Sequence, residues 1–316
     1  MPVPPQAGTR RGVPEDSALN YIPCFSMHLP TVFVVFLRRP GNRCSLCPEY
    51  PILSYLALLD CKLLKNHIQI YLIDNMTTLV VGATGATGKQ LVEQLLNMGQ
   101  KVKVIVRPTA KIPDTWKIND RISIIKASVS EISESGMTNY LKDCQSVASC
   151  LGHNISLKGV FGKPRKLVTD AVRLVCNAVE KNSPENPFKF VLMNTTANRN
   201  RDLPESISIG QKLVMGLIRL LIPPQSDNEK AADILRVNIG QNNKFIQWVV
   251  VRPDTLINED IVSGYEIHAS PTRSALSNPG KTSRINVGNF MSRLIVENDL
   301  WNKWKGKMPV IYNKIS

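Results

Sequence analysis

From position 78 onward, short apolar runs alternate with stretches in which apolar residues return every three or four positions. The runs fall at 78–81, 101–106, 122–126, 146–151, 188–193 and 245–251. Continuous runs of Val, Ile, Leu and Phe between turn residues are the pattern of strands buried on both faces. Between them the spacing predicts helices over 90–98, where Leu91, Val92, Leu95 and Leu96 share a face, and over 166–180, where Leu167, Ala171, Leu174, Val175 and Ala178 do. Another helix is predicted over 228–239. Strand and helix alternating in this way imply a parallel sheet, because parallel neighbours need a crossover connection and the crossover helices cover both faces. Beyond Pro253 the pattern loosens into a segment rich in Ser, Pro, Gly and Asn as far as Gly280. A helix near 287–297 and a short strand at 310–312 follow.

The first of these strand-to-helix junctions carries the most chemistry. Thr78-Leu79-Val80-Val81 runs into Gly82-Ala83-Thr84-Gly85-Ala86-Thr87-Gly88-Lys89. In this context the first glycine takes a tight turn, the second lets the backbone approach a pyrophosphate, and the third lets the helix pack on the strand. The unpaired amides at the start of the helix and the positive end of its dipole then hold the phosphates. An ATP-type loop would end in Gly-Lys-Ser/Thr, and Gly88-Lys89-Gln90 lacks the magnesium-binding hydroxyl. The fold expected is α/β: a Rossmann-type doubly wound parallel sheet with helices on both faces and a small C-terminal substrate or lid region in the loosened segment.

The first 75 residues read differently. Prolines recur through them, and the apolar stretch 31–37 is far short of the roughly 20 residues a membrane helix needs. Arg38 and Arg39 directly follow that stretch, no small-residue cleavage site comes after it, and Glu15 and Asp16 come early, so neither a secretory signal nor a mitochondrial presequence is expected. Residues 1–75 are expected to be a poorly ordered N-terminal extension and 76–316 the dinucleotide-binding domain with its lid.

A formal net charge of +14 would suit a nucleic-acid binder, but the Lys and Arg residues are scattered and aromatics make up only 6% of the chain, too few for a base-stacking surface. The partner expected is a small-molecule substrate, with no nucleic acid and no membrane. Of seven cysteines only Cys44-Ser45-Leu46-Cys47 has metal-like spacing, and no second such pair follows. Reduced thiols in a cytoplasmic protein, and no metal, are therefore expected.

Several motifs at successive strand ends resemble one family. Gly82 to Gly88, Val106-Arg107-Pro108, Cys150-Leu151-Gly152, Asn194-Thr195-Thr196-Ala197 and Val250-Val251-Arg252-Pro253 are similar to the atypical short-chain dehydrogenase/reductases of the NAD(P)H-binding NmrA-like group, which includes flavin and biliverdin reductases. The resemblance covers residue 76 to about 315. It implies cofactor contacts at Gly82, Thr84, Gly85, Ala86, Thr87 and Gly88, at Ser128 and Val129 where the family often has Gly-Asp-Val, at Leu151, Gly152 and His153, and at Asn194, Thr195 and Pro253. An acidic residue at the end of the second strand would hold a ribose 2′-hydroxyl, whereas Arg107 with Lys111 beyond it suits a 2′-phosphate, so the cofactor expected is NADP(H).

Catalysis is less legible. Short-chain dehydrogenases generally use a Tyr with a Lys four residues later. Here Tyr55, Tyr71, Tyr140, Tyr265 and Tyr312 are followed at that spacing by Leu59, Asn75, Cys144, Ala269 and Ser316. The remaining candidates are Thr196 after the fifth strand, Lys230 on the next helix, and His153, which can exchange a proton near neutrality. Thr196 is equally suited to capping its strand, and His153 to a structural hydrogen bond. Two functions stay open: an NADPH-dependent oxidoreductase passing hydride to a flat electron-poor acceptor such as a flavin, quinone or enone, and a non-catalytic NADP(H) sensor that binds another protein.

Overall fold

A computed structural model describes residues 76–153, 162, 164–205, 216, 223–274 and 278–314, together with two short strands, Ile22–Pro23 and Leu37–Arg38. The chain divides into two compact units, Met1–His67 and Ile68–Ser316. In the first, the two short strands pair antiparallel; the remainder of the expected N-terminal extension, with Cys44 and Cys47, lies outside the described residues.

The second unit is built on β1 (Thr77–Val81), β2 (Lys101–Val106), β3 (Ile122–Lys126), β4 (Ser146–Ser149), β5 (Phe188–Met193) and β6 (Ile246–Pro253). Short strands follow: β7 (Thr255–Ile257), β8 (Tyr265–His268), β9 (Lys281–Ser283) and β10 (Val310–Asn313). The main sheet runs β3-β2-β1-β4-β5-β6-β10-β8. It is parallel throughout except that β8 adds to β10 in the opposite sense. This is the Rossmann order, with the reversal between β1 and β4. Register places Val81 beside both Ile105 and Ser149, so the turn after β1 emerges at the carboxyl edge between its two neighbours.

The helices are α1 (Ala86–Asn97), α2 (Asp114–Lys117), α3 (Glu134–Leu141), α4 (Leu167–Asn182), α5 (Pro223–Asp233), α6 (Arg284–Val296) and α7 (Asn298–Trp304). They cover two faces because successive strand residues point to opposite sides. Leu79 and Val81 join Val172, Val175, Phe190 and Trp248 in one core, while Val80 joins Leu91, Val104, Phe290 and Leu294 in the other. α1 and α6 approach closely at Gly288, where a Cβ would lie 2.9 Å from the backbone nitrogen of Leu91. No helix among the described residues is long and apolar enough to cross a membrane.

The segment after Pro253, where the sequence pattern loosens, carries short paired strands. β7 pairs parallel with β9, and β8 extends the sheet edge through β10. α5 begins before the expected 228 and its end, Ile234–Ile239, widens into a π-helix.

One half-buried cation offers a test of the packing. The Lys189 ammonium donates to the carbonyl of Ile295 at 2.7 Å and to Asn298 Oδ1 at 3.1 Å, with the Trp301 ring 5.4 Å away. Burial pulls its pKa down from 10.5 to about 8. Between those values the unfolded chain binds more protons, so the stability this residue contributes rises with pH across the window. Relative to Lys189→Met, the natural chain is expected to gain stability from pH 8 to 10.5, read as urea midpoints of both proteins. A difference that stays constant would show that the ammonium is not desolvated.

Candidate cofactor site and its surroundings

The turn after β1 shows why its glycines stand three residues apart. Gly82 has φ +76°, and a Cβ there would lie 2.6 Å from the carbonyl carbon of Cys150. Its own carbonyl accepts the Gly85 amide at 3.1 Å, and a Cβ on Gly88 would lie 2.1 Å from that same oxygen. Turn, strand exit and helix start are thus packed backbone to backbone. Gly85 caps α1 in an extended conformation, offers no side chain to the helix amides, and the first turn has no acidic residue. The amides of a twelve-residue helix are left for an anion.

A cleft of about 250 Å³ opens above this turn. Gly82, Thr84 and Gly85 form its floor. Ile105 and Arg107 at the end of β2, with Ala127, Ser128 and Val129 after β3, make one side; Cys150, Leu151, Gly152 and His153 after β4, with Pro164 and Leu167, make the other. Arg107 is exposed, and its guanidinium makes no hydrogen bond among the described residues. Ser128 Oγ lies 3.0 Å from Ser130 Oγ. β4 stops at Ser149, so Cys150 and Leu151, expected to end the strand, instead line the cleft. The Cys150 thiol is held neutral, its pKa pushed up to about 12 by burial. Among the described residues no group of His, Cys, Asp and Glu could hold a metal ion.

His153 is anchored by a residue that sequence reasoning did not single out. Its Nε2 lies 2.8 Å from Asp227 Oδ2, and both side chains are buried. The same carboxylate accepts the amides of Val168 at 2.9 Å and Thr169 at 3.0 Å, so it also caps the start of α4. A carboxylate that already accepts two amides takes the imidazole N–H as a third donor, so the bond runs from Nε2 of His153 to Asp227.

The remaining expected residues lie outside the cleft lining. Ala86, Thr87 and Gly88 form the first turn of α1, the last two buried. Lys111 is exposed. Asn194 donates from Nδ2 to the carbonyl of Asn228 at 2.8 Å and accepts the Thr195 amide. The amide of Thr196 donates to the carbonyl of Pro253 at 3.0 Å, and its side chain is buried. These residues gather at the carboxyl ends of β5 and β6, adjoining the α5 segment that holds His153. Lys230, three residues beyond Asp227 on α5, is exposed.

The loop after β5 is pinned by an ion pair that is inaccessible to water. Arg252 is fully buried and all five of its N–H groups are used: on the carbonyls of Met308, Asn198 and Ala269, and on both oxygens of Glu205, the shortest at 2.7 Å. Glu205 Oε2 also accepts the Asn200 amide.

Residues 82–298 match the profile of the NAD(P)H-binding family. The chain belongs to that family. Its backbone is similar to an oxidoreductase from Lactococcus lactis, with a TM-score of 0.55 and 16% identity over 76% of this chain and 92% of that one. It is also similar to a short-chain dehydrogenase/reductase from Veillonella parvula crystallised in complex with NADP, with a TM-score of 0.54 and 13% identity over 75% and 94%. At these identities the likeness establishes the fold. A 52-residue stretch is 46% identical to a chloroplastic protein of Arabidopsis thaliana, spanning 16% of this chain and 19% of that protein.

Proposed function

We propose that the protein is an NADPH-dependent oxidoreductase acting on a flat, electron-poor acceptor of flavin, quinone or enone type. The observation that carries the cofactor choice is Arg107, an exposed guanidinium at the rim of the cleft with no partner among the described residues, at the end of the second strand, where folds of this kind take the adenosine ribose. A planar guanidinium pairs with a phosphate in a way that a carboxylate at that position would oppose. Gly85 and the first amides of α1 hold the pyrophosphate, and Ser128 and Val129 flank the adenosine. Bound nicotinamide supplies the hydride. His153, held by Asp227 at the far end of the cleft, and the buried Thr196 at the end of β5 orient the acceptor. Where the acceptor delocalises the charge it gains, solvent supplies the proton, which suits a site without the Tyr and Lys pair. The buried, unpaired Cys144, Cys150 and Cys176 suit a reducing compartment, and we place the protein in the cytoplasm.

Calorimetric titration of Arg107→Ala tests this reading. A charge-assisted hydrogen bond contributes about 1.5 to 3 kcal/mol, so NADPH is expected to bind roughly ten- to a hundredfold more weakly while NADH is scarcely affected. Equal losses for both nucleotides would move Arg107 to a contact common to them and withdraw the NADPH assignment. Tight NADPH binding with no oxidation by any flavin, quinone or enone would replace the enzyme by a non-catalytic sensor.

A further inference from the structure

The loop that follows β5 contains a cation that no carboxylate among the described residues neutralises. Among the arginines of this region, Arg201 pairs with Asp233 at 3.2 Å and approaches Glu229 at 3.7 Å. Arg236 pairs with Asp233 at 3.1 Å and with Asp202. Arg252 pairs with Glu205 at 2.7 Å. Arg199 has no ion pair and no hydrogen bond from its guanidinium among the described residues, and its Nε is buried. Next to it in the chain, Asn198 is 5% exposed, and its Nδ2 is likewise buried without an acceptor. Buried N–H donors without acceptors are rare, because each loses its water and gains nothing in exchange. Here two occur at adjacent residues, one of them charged, while the local carboxylates are committed to other arginines.

Position gives this surplus a use. Hydrogen bonds connect the loop to the cleft: His153 to Asp227, the carbonyl of the next residue Asn228 to Asn194, and from there to Arg199 along the backbone. Thr196 is fastened to Pro253, and Asn198 to Arg252, so the loop is held at the carboxyl edge of the sheet, where open α/β folds bind their ligands. We propose that Arg199, assisted by the Asn198 amide, binds an anionic group of the acceptor, a carboxylate, sulfonate or phosphate carried beside its electron-poor ring. The proposal rests on the oxidoreductase reading for the identity of the ligand as acceptor; the anion site itself rests on the unpaired donors.

The test compares 1,4-naphthoquinone with its 2-sulfonate, which differ by one anionic group. Dissociation constants of both are measured by calorimetry on the full chain saturated with NADP+. The sulfonate is expected to bind roughly tenfold to a hundredfold more tightly. That ratio is expected to fall close to one in Arg199→Gln and to be partly regained in Arg199→Lys. Raising the salt concentration is expected to shrink the ratio in the natural chain, which needs no variant to fold. A ratio of one in the natural chain, or a ratio undiminished in Arg199→Gln, overturns the site. NADPH oxidation with both quinones is followed in parallel. If the affinity ratio holds but neither quinone is reduced, the anion site stands and the oxidoreductase reading falls; turnover of both with a ratio of one has the opposite meaning.

Discussion

Replacing Arg252 by Met is expected to cost about 3 to 5 kcal/mol of folding stability. Removing the guanidinium leaves Glu205 in the interior with, among the described residues, only the Asn200 amide on its carboxylate, and it takes the Arg252 donor from the carbonyls of Met308, Asn198 and Ala269. A buried charge without its partner is far more costly than a pair missing altogether. The double variant Arg252→Met with Glu205→Gln is therefore expected to recover part of the loss. Recovery should be incomplete, because the three carbonyls remain without the Arg252 donor. Urea midpoints of the single and double variants check this. A single-variant loss below about 1 kcal/mol would mean that water reaches Glu205 and that the loop after β5 is not pinned as the structure shows.

That ion pair marks the boundary of what the sequence discloses. β1, β2 and β5 each end in an unbroken apolar run, Leu79–Val81, Val104–Val106 and Phe190–Met193, because parallel strands are buried on both faces, and such runs are visible without knowing their neighbours. α4 is equally plain, with buried Val168, Val172, Val175 and Val179 at helical spacing. α3 was not legible: Glu134–Leu141 is made largely of Ser, Gly, Thr and Asn, which favour caps and turns, and only Met137 and Leu141 are buried. β7, β8 and β9 are three or four residues long, too short for a period to emerge.

The site divides along the same line. The glycine turn was legible because its requirements are local: a positive φ at Gly82 and a backbone contact from Gly88 fall within one seven-residue stretch. His153 with Asp227 joins positions 74 residues apart, and Arg252 with Glu205 joins positions 47 apart. Nothing in Pro-Pro-Gln-Ser-Asp-Asn distinguishes Asp227 from a solvated helix-start acid. Lys230, the helical lysine after β5, stands three residues beyond Asp227 and is exposed where Asp227 is buried, a difference that the spacing of the two residues does not disclose. Arg199 has no sequence signal at all, since what distinguishes it is the pairing of every arginine around it.

Two glycines of the same turn are expected to fail in opposite ways. In Gly88→Ala the new methyl would stand 2.1 Å from the Gly82 carbonyl oxygen and 3.0 Å from the Cα of Ala83, both backbone, and neither can move without parting α1 from β1. A destabilisation of about 3 kcal/mol or more is expected, at the upper end of what overpacking costs, because no flexible side chain is available to give way. Gly85 differs. Its backbone is extended at φ −69° and ψ 161°, a conformation any residue adopts, and the one atom near a Cβ is the Gly82 oxygen at 3.2 Å. The fold therefore has little need of glycine there, and the absent side chain matters for what approaches the helix start. Gly85→Val is expected to melt close to the natural chain and to lose measurable NADPH binding, as thermal unfolding and calorimetric titration of the two variants would show. If folded Gly85→Val keeps its affinity, the pyrophosphate does not lie over the start of α1. If Gly88→Ala is as stable as the natural chain, the packing of the turn against its own helix is looser than the three-residue spacing of the glycines implies.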